Sequence, residues 1–236
     1  MKYIKYSLAL ITAFLLLSAC QSSTGEAKIE SKELNLNTAA LESLIVDHRN
    51  GDIEIIGDTN SETIKVSAEI SHSGNIDPDH LQLQLEERDG EAYLKALFQG
   101  QFLASGKGTV NLKVVMPAAL SVQIRSHRDG AIVISDLSSA LNIENVNGNI
   151  EVKNIGSDVH ISNRDGNINI LNAAADLYIN NVNGTIIAER IGGSAIIDVS
   201  DGKLELDGVD GDVTIKRSNP ADIKVSNIKG SVNQKK

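Results

Sequence analysis

Asp129-Gly130-Ala131-Ile132-Val133-Ile134, Asn147-Gly148-Asn149-Ile150-Glu151-Val152, Asp165-Gly166-Asn167-Ile168-Asn169-Ile170, Asn183-Gly184-Thr185-Ile186-Ile187-Ala188 and Asp201-Gly202-Lys203-Leu204-Glu205-Leu206 start at a constant interval of 18 residues. Each begins with a turn dipeptide and continues as an alternating apolar run, with inward pairs such as Ile132/Ile134 and Ile150/Val152. About nine residues on lies a second run, Leu141/Ile143, Val159/Ile161, Leu177/Ile179, Ala195/Ile197 and Val213/Ile215. Alternation with a period of two in short runs rich in Ile and Val means strand. The residues between the inward pairs, among them Glu151, Asn169, Glu205, Asn142, His160 and Thr214, are mostly polar, so one face of each strand is wet. A fixed period over five turns marks a solenoid, whose repeats bury their apolar faces only by stacking on one another.

The expected fold is therefore all-β, a parallel β-helix or β-solenoid of about 18 residues per coil. Residues 121–236 form the regular repeats, six or so coils making a rod of about 30 Å at the strand spacing. Leu137, Ile155, Ile191 and Val209 recur just after the first run and allow a short third side. Asn145, Asn163 and Asn181 recur at one corner, either as an amide ladder or as residues that tolerate a tight turn. Residues 34–120 keep looser time. They contain strands near Ser43 to Val46, Asp52 to Ile56, Thr63 to Ile70, Leu81 to Glu86, Ala92 to Phe98 and Thr109 to Val115, and either continue the solenoid or cap it.

The composition fits a thin aliphatic stack: 41% hydrophobic but 3% aromatic, with 19 Gly and 3 Pro in 236 residues. The single Cys excludes an internal disulfide and a thiolate zinc site. That residue, Cys20, closes an N-terminal pattern of Lys2 and Lys5, an apolar run from Leu8 to Leu17, and Ser18-Ala19. The pattern reads as a secretory signal over residues 1–19, too short for a permanent span. Leu17-Ser18-Ala19-Cys20 resembles the bacterial lipobox cut by the lipoprotein signal peptidase. The resemblance implies that Cys20 becomes a lipidated N-terminus, joined to the membrane by several acyl chains. Gln21, where an Asp would resemble an inner-membrane retention signal, implies the outer membrane if the source is Gram-negative. Residues 20–33 read as a polar, lipidated tether. Loss of Lys2 and Lys5 takes the formal charge from −9 to −11, which disfavours a nucleic-acid partner and direct docking on anionic lipid.

The stretch from Val46 to Ile55, Val114-Val115-Met116-Pro117-Ala118 leading into a turn glycine, and tandem units such as Asn147 to Val152 resemble a bacterial β-strand-repeat family of unknown function labelled "putative adhesin". The resemblance covers most of Leu41 to Val232. It implies a β-helical fold and an envelope location, and supplies no catalytic residues.

The chemistry expected is binding. Eighteen-residue coils are similar in length to calcium β-rolls, but the corners lack paired glycines and a second Asp. An acidic loop at Asp207, Asp210 and Asp212 reads as solvated, and no metal or other cofactor is expected. His48-Arg49 and His127-Arg128, echoed by Arg164, either stack as a small basic stripe for an acidic glycan or carboxylate or serve as plain corner residues. Ser105-Gly106-Lys107-Gly108-Thr109 lacks the spacing of a phosphate loop and reads as a hairpin tip. Glu151 and Glu205 lie three coils apart, roughly 14 Å, too far for a glycosidase pair. Tyr178, Ile187 and Ile196 either form an outward apolar patch for a partner or belong to the core. The reading is a lipid-anchored, non-catalytic envelope β-solenoid, adhesin-like or a scaffold, with a glycan or an envelope protein as its partner. One alternative is an envelope-stress or assembly accessory bound to a membrane protein, and another is a polysaccharide-cleaving β-helix.

Overall fold

The computed structural model describes residues 27–99, 106–217 and 222–235. The inward Ile, Leu and Val pairs form the expected two strands per coil. The first run supplies β9 (Ile132–Leu137), β11 (Ile150–Ile155) and β13 (Ile168–Ala173); the second supplies β8 (Ser121–Asp129), β10 (Leu141–Asn147) and β12 (Val159–Asp165). β14 (Leu177–Ile191) and β15 (Ala195–Val209) run unbroken through the corner and serve both sheets, and β16 (Val213–Arg217), β17 (Asp222–Ile228) and β18 (Val232–Lys235) finish the rod. All of these pair in parallel with the coil before. The chain is a β-solenoid of about 6 regular turns with a less regular N-terminal part. Leu137, Ile155, Ile191 and Val209 are buried, but they end first-run strands and form no third strand.

Each corner glycine is required by its neighbour. Gly130, Gly148, Gly166, Gly184 and Gly202 have φ between 125° and 148°, and a Cβ on any of them would overlap the carbonyl of the glycine one coil away. Only glycine adopts that backbone without strain.

Residues 34–120 both continue the solenoid and cap it, in an order that differs from the chain. β2 (Ser43–His48) and β3 (Ile53–Asp58) form a coil joined at Gly51. β2 lies between β8 and β6 (Glu91–Phe98), and β3 lies between β9 and β7 (Gly108–Pro117), all in parallel. The layer made first is thus the second in the stack. The crossing from β7 to β8 passes over it at Ala118, whose N–H donates to Asp58 O (3.2 Å) and whose carbonyl accepts from Ser138 N (2.8 Å). Gly57 lies beneath that crossing, where a Cβ would meet Asp136 O and the Ala118 backbone.

Antiparallel strands close this end. β4 (Thr63–His72) pairs with β7 and β1 (Lys28–Asn37) with β4 on one sheet, while β5 (Leu81–Arg88) pairs with β6 on the other. Half-buried Leu34, Leu36, Leu81, Leu83 and Leu85 pack against the end of the core, where an open edge would template aggregation. The tether expected over residues 20–33 does not reach Glu33. Lys28 to Glu33 are already strand, because the leucines that follow them are held by the core and carry the backbone into register with β4.

Candidate functional site

The recurrent asparagines form an internal spine. Asn181 Nδ2 donates to the carbonyls of Gly166 (3.3 Å) and Asn183 (3.2 Å), which orients its Oδ1 towards Asn163. Asn163 Nδ2 then donates to Asn181 Oδ1 (3.0 Å) and Asn145 Nδ2 to Asn163 Oδ1 (2.9 Å). His127 Nδ1 donates to Asn145 Oδ1 (2.6 Å), and its Nε2 faces Gly51 O at 3.0 Å. His48 stacks on His127 with centroids 5.1 Å apart and donates from Nε2 to Val110 O (2.7 Å). All five side chains are buried. Burial above all holds the His48 pKa down at about 4; the Val110 carbonyl opposes this, His127 adds to it and Asp52 opposes it. The basic stripe is therefore corrected. His48 faces inward because it continues the alternation of Leu44 and Val46, and His127 because an extra residue, with Ser126 at φ of 61°, shifts the register after Ile124, which leaves Arg49, Arg128 and Arg164 exposed. Arg164 pairs with Asp165 (2.7 Å).

A second polar column, missed in the sequence, runs along the outside at the end of the first-run strands. Asp136, Asn154, Asn172 and Arg190 have φ between 58° and 65° or, for Asn154, 54°, with Gly208 and Asn227 continuing the column. Asn154 Nδ2 donates to Asp136 Oδ1 (2.8 Å) and Asn172 Nδ2 to Asn154 Oδ1 (3.0 Å). The signal was available as the 18-residue spacing of Asp136, Asn154 and Asn172.

Tyr178 and Ile196 do face outward, side by side in register on the second-run sheet, and Ile196 is 36% exposed. Ile187 is half-buried and points outward from the first-run sheet, where its register partners are Asn169 and Glu205. The three do not form one patch, since Ile187 follows the corner glycine and the other two precede it. The rings of His160 and Tyr178 stack at 4.3 Å with an interplanar angle of 13°. Stacked along the coil axis, each covers a face of the other, which leaves no open two-ring platform for a sugar. The Tyr178 hydroxyl donates to Asp176 Oδ2 (3.3 Å), and the Asp176 charge, then burial, raise its pKa. Asn142, Ser162, Asn180 and Asp198 border a depression of about 340 Å³ around this pair.

On the first-run face, Glu33, Asp52, Glu54 and Glu69 line a groove of about 570 Å³. Each has a partner: Ser67 Oγ donates to Glu33 (2.9 Å), Ala131 N to Asp52 (2.8 Å) and Asn111 Nδ2 to Glu69 (3.2 Å), while Lys113 pairs with Glu54 (3.0 Å). Glu151 pairs with Lys153. The corner at Asp207, Asp210 and Asp212 is likewise occupied by the next coil. Asp207 accepts from Ser226 and Asn227 (both 2.7 Å), Asp212 accepts from Ser231 N (2.8 Å) and Oγ (2.9 Å), and Asp210 pairs with Lys229 (2.8 Å). Those bonds hold the Asp207 and Asp212 carboxyls below the usual range. Among the described residues no group of three or more His, Cys, Asp or Glu is placed to hold a metal ion. Lys107 lies just before β7, and β6 and β7 belong to different sheets, so the expected hairpin between them is not formed. Leu17, Ser18, Ala19, Cys20 and Gln21 lie outside the described residues.

No family model matches the chain, and no curated protein matches it. Similar solved structures include a "putative adhesin" of Bacteroides fragilis, 13% identical over 87% of this chain and 97% of that one, with a TM-score of 0.41. A "putative cell adhesion protein" of Clostridium sporogenes is 12% identical over 88% and 100%, with a TM-score of 0.37. A "putative adhesin" of Parabacteroides merdae is 17% identical over 90% and 98%, with a TM-score of 0.36. The similarity is too distant to transfer a ligand.

Proposed function

We propose that the chain is a lipid-anchored protein of the cell envelope, in the outer membrane if the source is Gram-negative, that works as a binding rod without catalysis. The observation that carries this reading is where the chain enters the fold. β1 begins at Lys28 and is an edge strand of the capped end, so an acylated Cys20 would attach the rod by that end. The two N-terminal layers and the coils beyond them stack to about 40 Å at one strand spacing each. Its sides offer amides, hydroxyls and carboxylates already oriented by neighbouring coils, which suits recognition of a glycan or an envelope protein better than proton transfer.

Metabolic labelling with a palmitate analogue tests the anchor: label is expected on the wild type and absent from Cys20→Ala. Equal label in both refutes it. In-cell crosslinking then separates a scaffold, which yields one protein partner, from an adhesin, which yields glycan.

A further inference from the structure

We propose that the distal end of the solenoid is a docking surface for an anionic bilayer. The net charge of −9 conceals a reversal of sign at that end. Among the described side chains from Val213 onward are four lysines, Lys216, Lys224, Lys229 and Lys235, and one carboxylate, Asp222.

The register shows how the reversal is built. On the second-run face the outward column Glu144, Ser162, Asn180, Asp198 ends in Lys216 and Lys235. On the first-run face Glu151, Asn169, Ile187, Glu205 ends in Lys224. At the corner, Asp210 is followed by Lys229. Both faces and the corner between them thus end in lysine in the last turn. Inside this belt Val232 is 46% exposed, and Ile223, Val225 and Ile228 are only half-buried. Cationic side chains with long apolar stems around exposed aliphatic residues are the two ingredients of interfacial binding.

Plain protection of a sheet edge does not require this arrangement. At the opposite edge β1 carries Lys28, Glu30, Lys32 and Glu33 in mixed sign, with Lys32 paired to Glu30 at 3.3 Å. At the distal edge the described charged side chains are Lys224, Lys229 and Lys235 against Asp222 alone, with Lys229 paired to Asp210 of the coil before. The nearest carboxylates, Asp198, Glu205 and Asp210, belong to the coil before and stand one strand spacing behind Lys216, Lys224 and Lys229, on the side away from the tip, while charges farther away than about 8 Å are screened at physiological salt. The acidity that spoke against docking on lipid is a property of the sides and the cap, while the tip has the opposite sign.

The test uses the chain from Gln21 onward, which keeps every described residue and carries no acyl group, so it is independent of the Cys20 labelling. Co-sedimentation is measured with vesicles of phosphatidylcholine mixed with phosphatidylglycerol and with phosphatidylcholine alone. Binding is expected only to the anionic vesicles and falls as salt rises. At about fivefold per lysine, Lys216→Gln, Lys224→Gln and Lys235→Gln together weaken it about a hundredfold, whereas Lys28→Gln with Lys32→Gln leaves it unchanged. Circular dichroism verifies that all variants keep their strand signal. Failure of the folded wild type to bind at low salt overturns the proposal, as does equal binding by the triple variant. Binding to soluble polyglutamate or DNA but not to vesicles also overturns it. Oligomerisation of the triple variant with no change in lipid binding would assign the lysines to edge protection alone.

Discussion

Truncating the middle of the buried amide spine is the sharpest test of what holds the coils in register. Asn163 is 3% exposed, accepts from Asn145 at 2.9 Å and donates to Asn181 at 3.0 Å. Asn163→Ala removes both bonds, at about 1 kcal/mol each. It also strands two buried groups: Asn181 Oδ1, and Asn145 Nδ2, which keeps only a 3.4 Å contact with Gly148 O. Buried polar atoms left without partners cost about 1 to 3 kcal/mol each. Not all of this adds, so a loss of about 3 to 5 kcal/mol is expected, a large share of an ordinary domain's stability. The outer column provides the control. Asn172 makes a similar amide bond at 3.0 Å but is exposed and has φ of 65°. Asn172→Gly keeps that backbone conformation open and should cost less than about 1 kcal/mol, because water replaces the lost bond. Urea unfolding followed by far-ultraviolet circular dichroism compares the two in a chain that has no Trp. Equal losses would refute the argument that burial makes the inner ladder the stronger of the two.

Gly166→Ala places a Cβ against the Gly148 carbonyl at φ of 140°; a loss of about 3 kcal/mol or more is expected, visible as a fall in the urea midpoint or in soluble yield, and an unchanged midpoint would contradict the corner geometry. Acid should also weaken the fold through His48, whose pKa falls from 6.5 to about 4 on folding. Because the folded value is the lower one, this contribution is complete above about pH 6.5 and is lost as pH falls towards 4, amounting to at most about 3 kcal/mol. In His48→Asn, which would extend the amide spine, the stability-pH curve between those limits should flatten; an identical acid limb would exclude His48 as its source.

The 18-residue beat revealed the strands and the inward pairs because a solenoid core depends only on local alternation and a constant coil length. The asparagine corner was legible for the same reason, although spacing alone could not say whether Asn145, Asn163 and Asn181 bonded to one another. What the beat could not reveal was any relation between segments that are not successive coils. Gly51 and Gly130 stack in one column although they are 79 residues apart, which is no multiple of 18. The kinship of Asn50-Gly51-Asp52-Ile53-Glu54-Ile55 with the later repeats was the only local trace of that layer. Tyr178 and Ile187 looked like neighbours because nine residues is half a coil, and half a coil carries the chain to the other sheet. Net charge concealed the basic end, since a sum has no position.

The inserted layer also sets a timetable. A chain that emerges from its N-terminus exposes Leu44, Val46, Ile53 and Ile55, all buried in the finished protein, well before either flanking layer exists. One neighbour requires β6 and β7, which finish at Pro117, and the other requires β8 and β9, which finish at Leu137. For about sixty residues after Asp58 this pair of apolar strands has both edges open, and one edge stays open until Leu137, the state in which parallel sheets form slowly and aggregate. The later repeats need no such delay, because each coil can settle on the one just completed. Assembly therefore divides at Leu137 into a slow, concerted first act and a more rapid, sequential second.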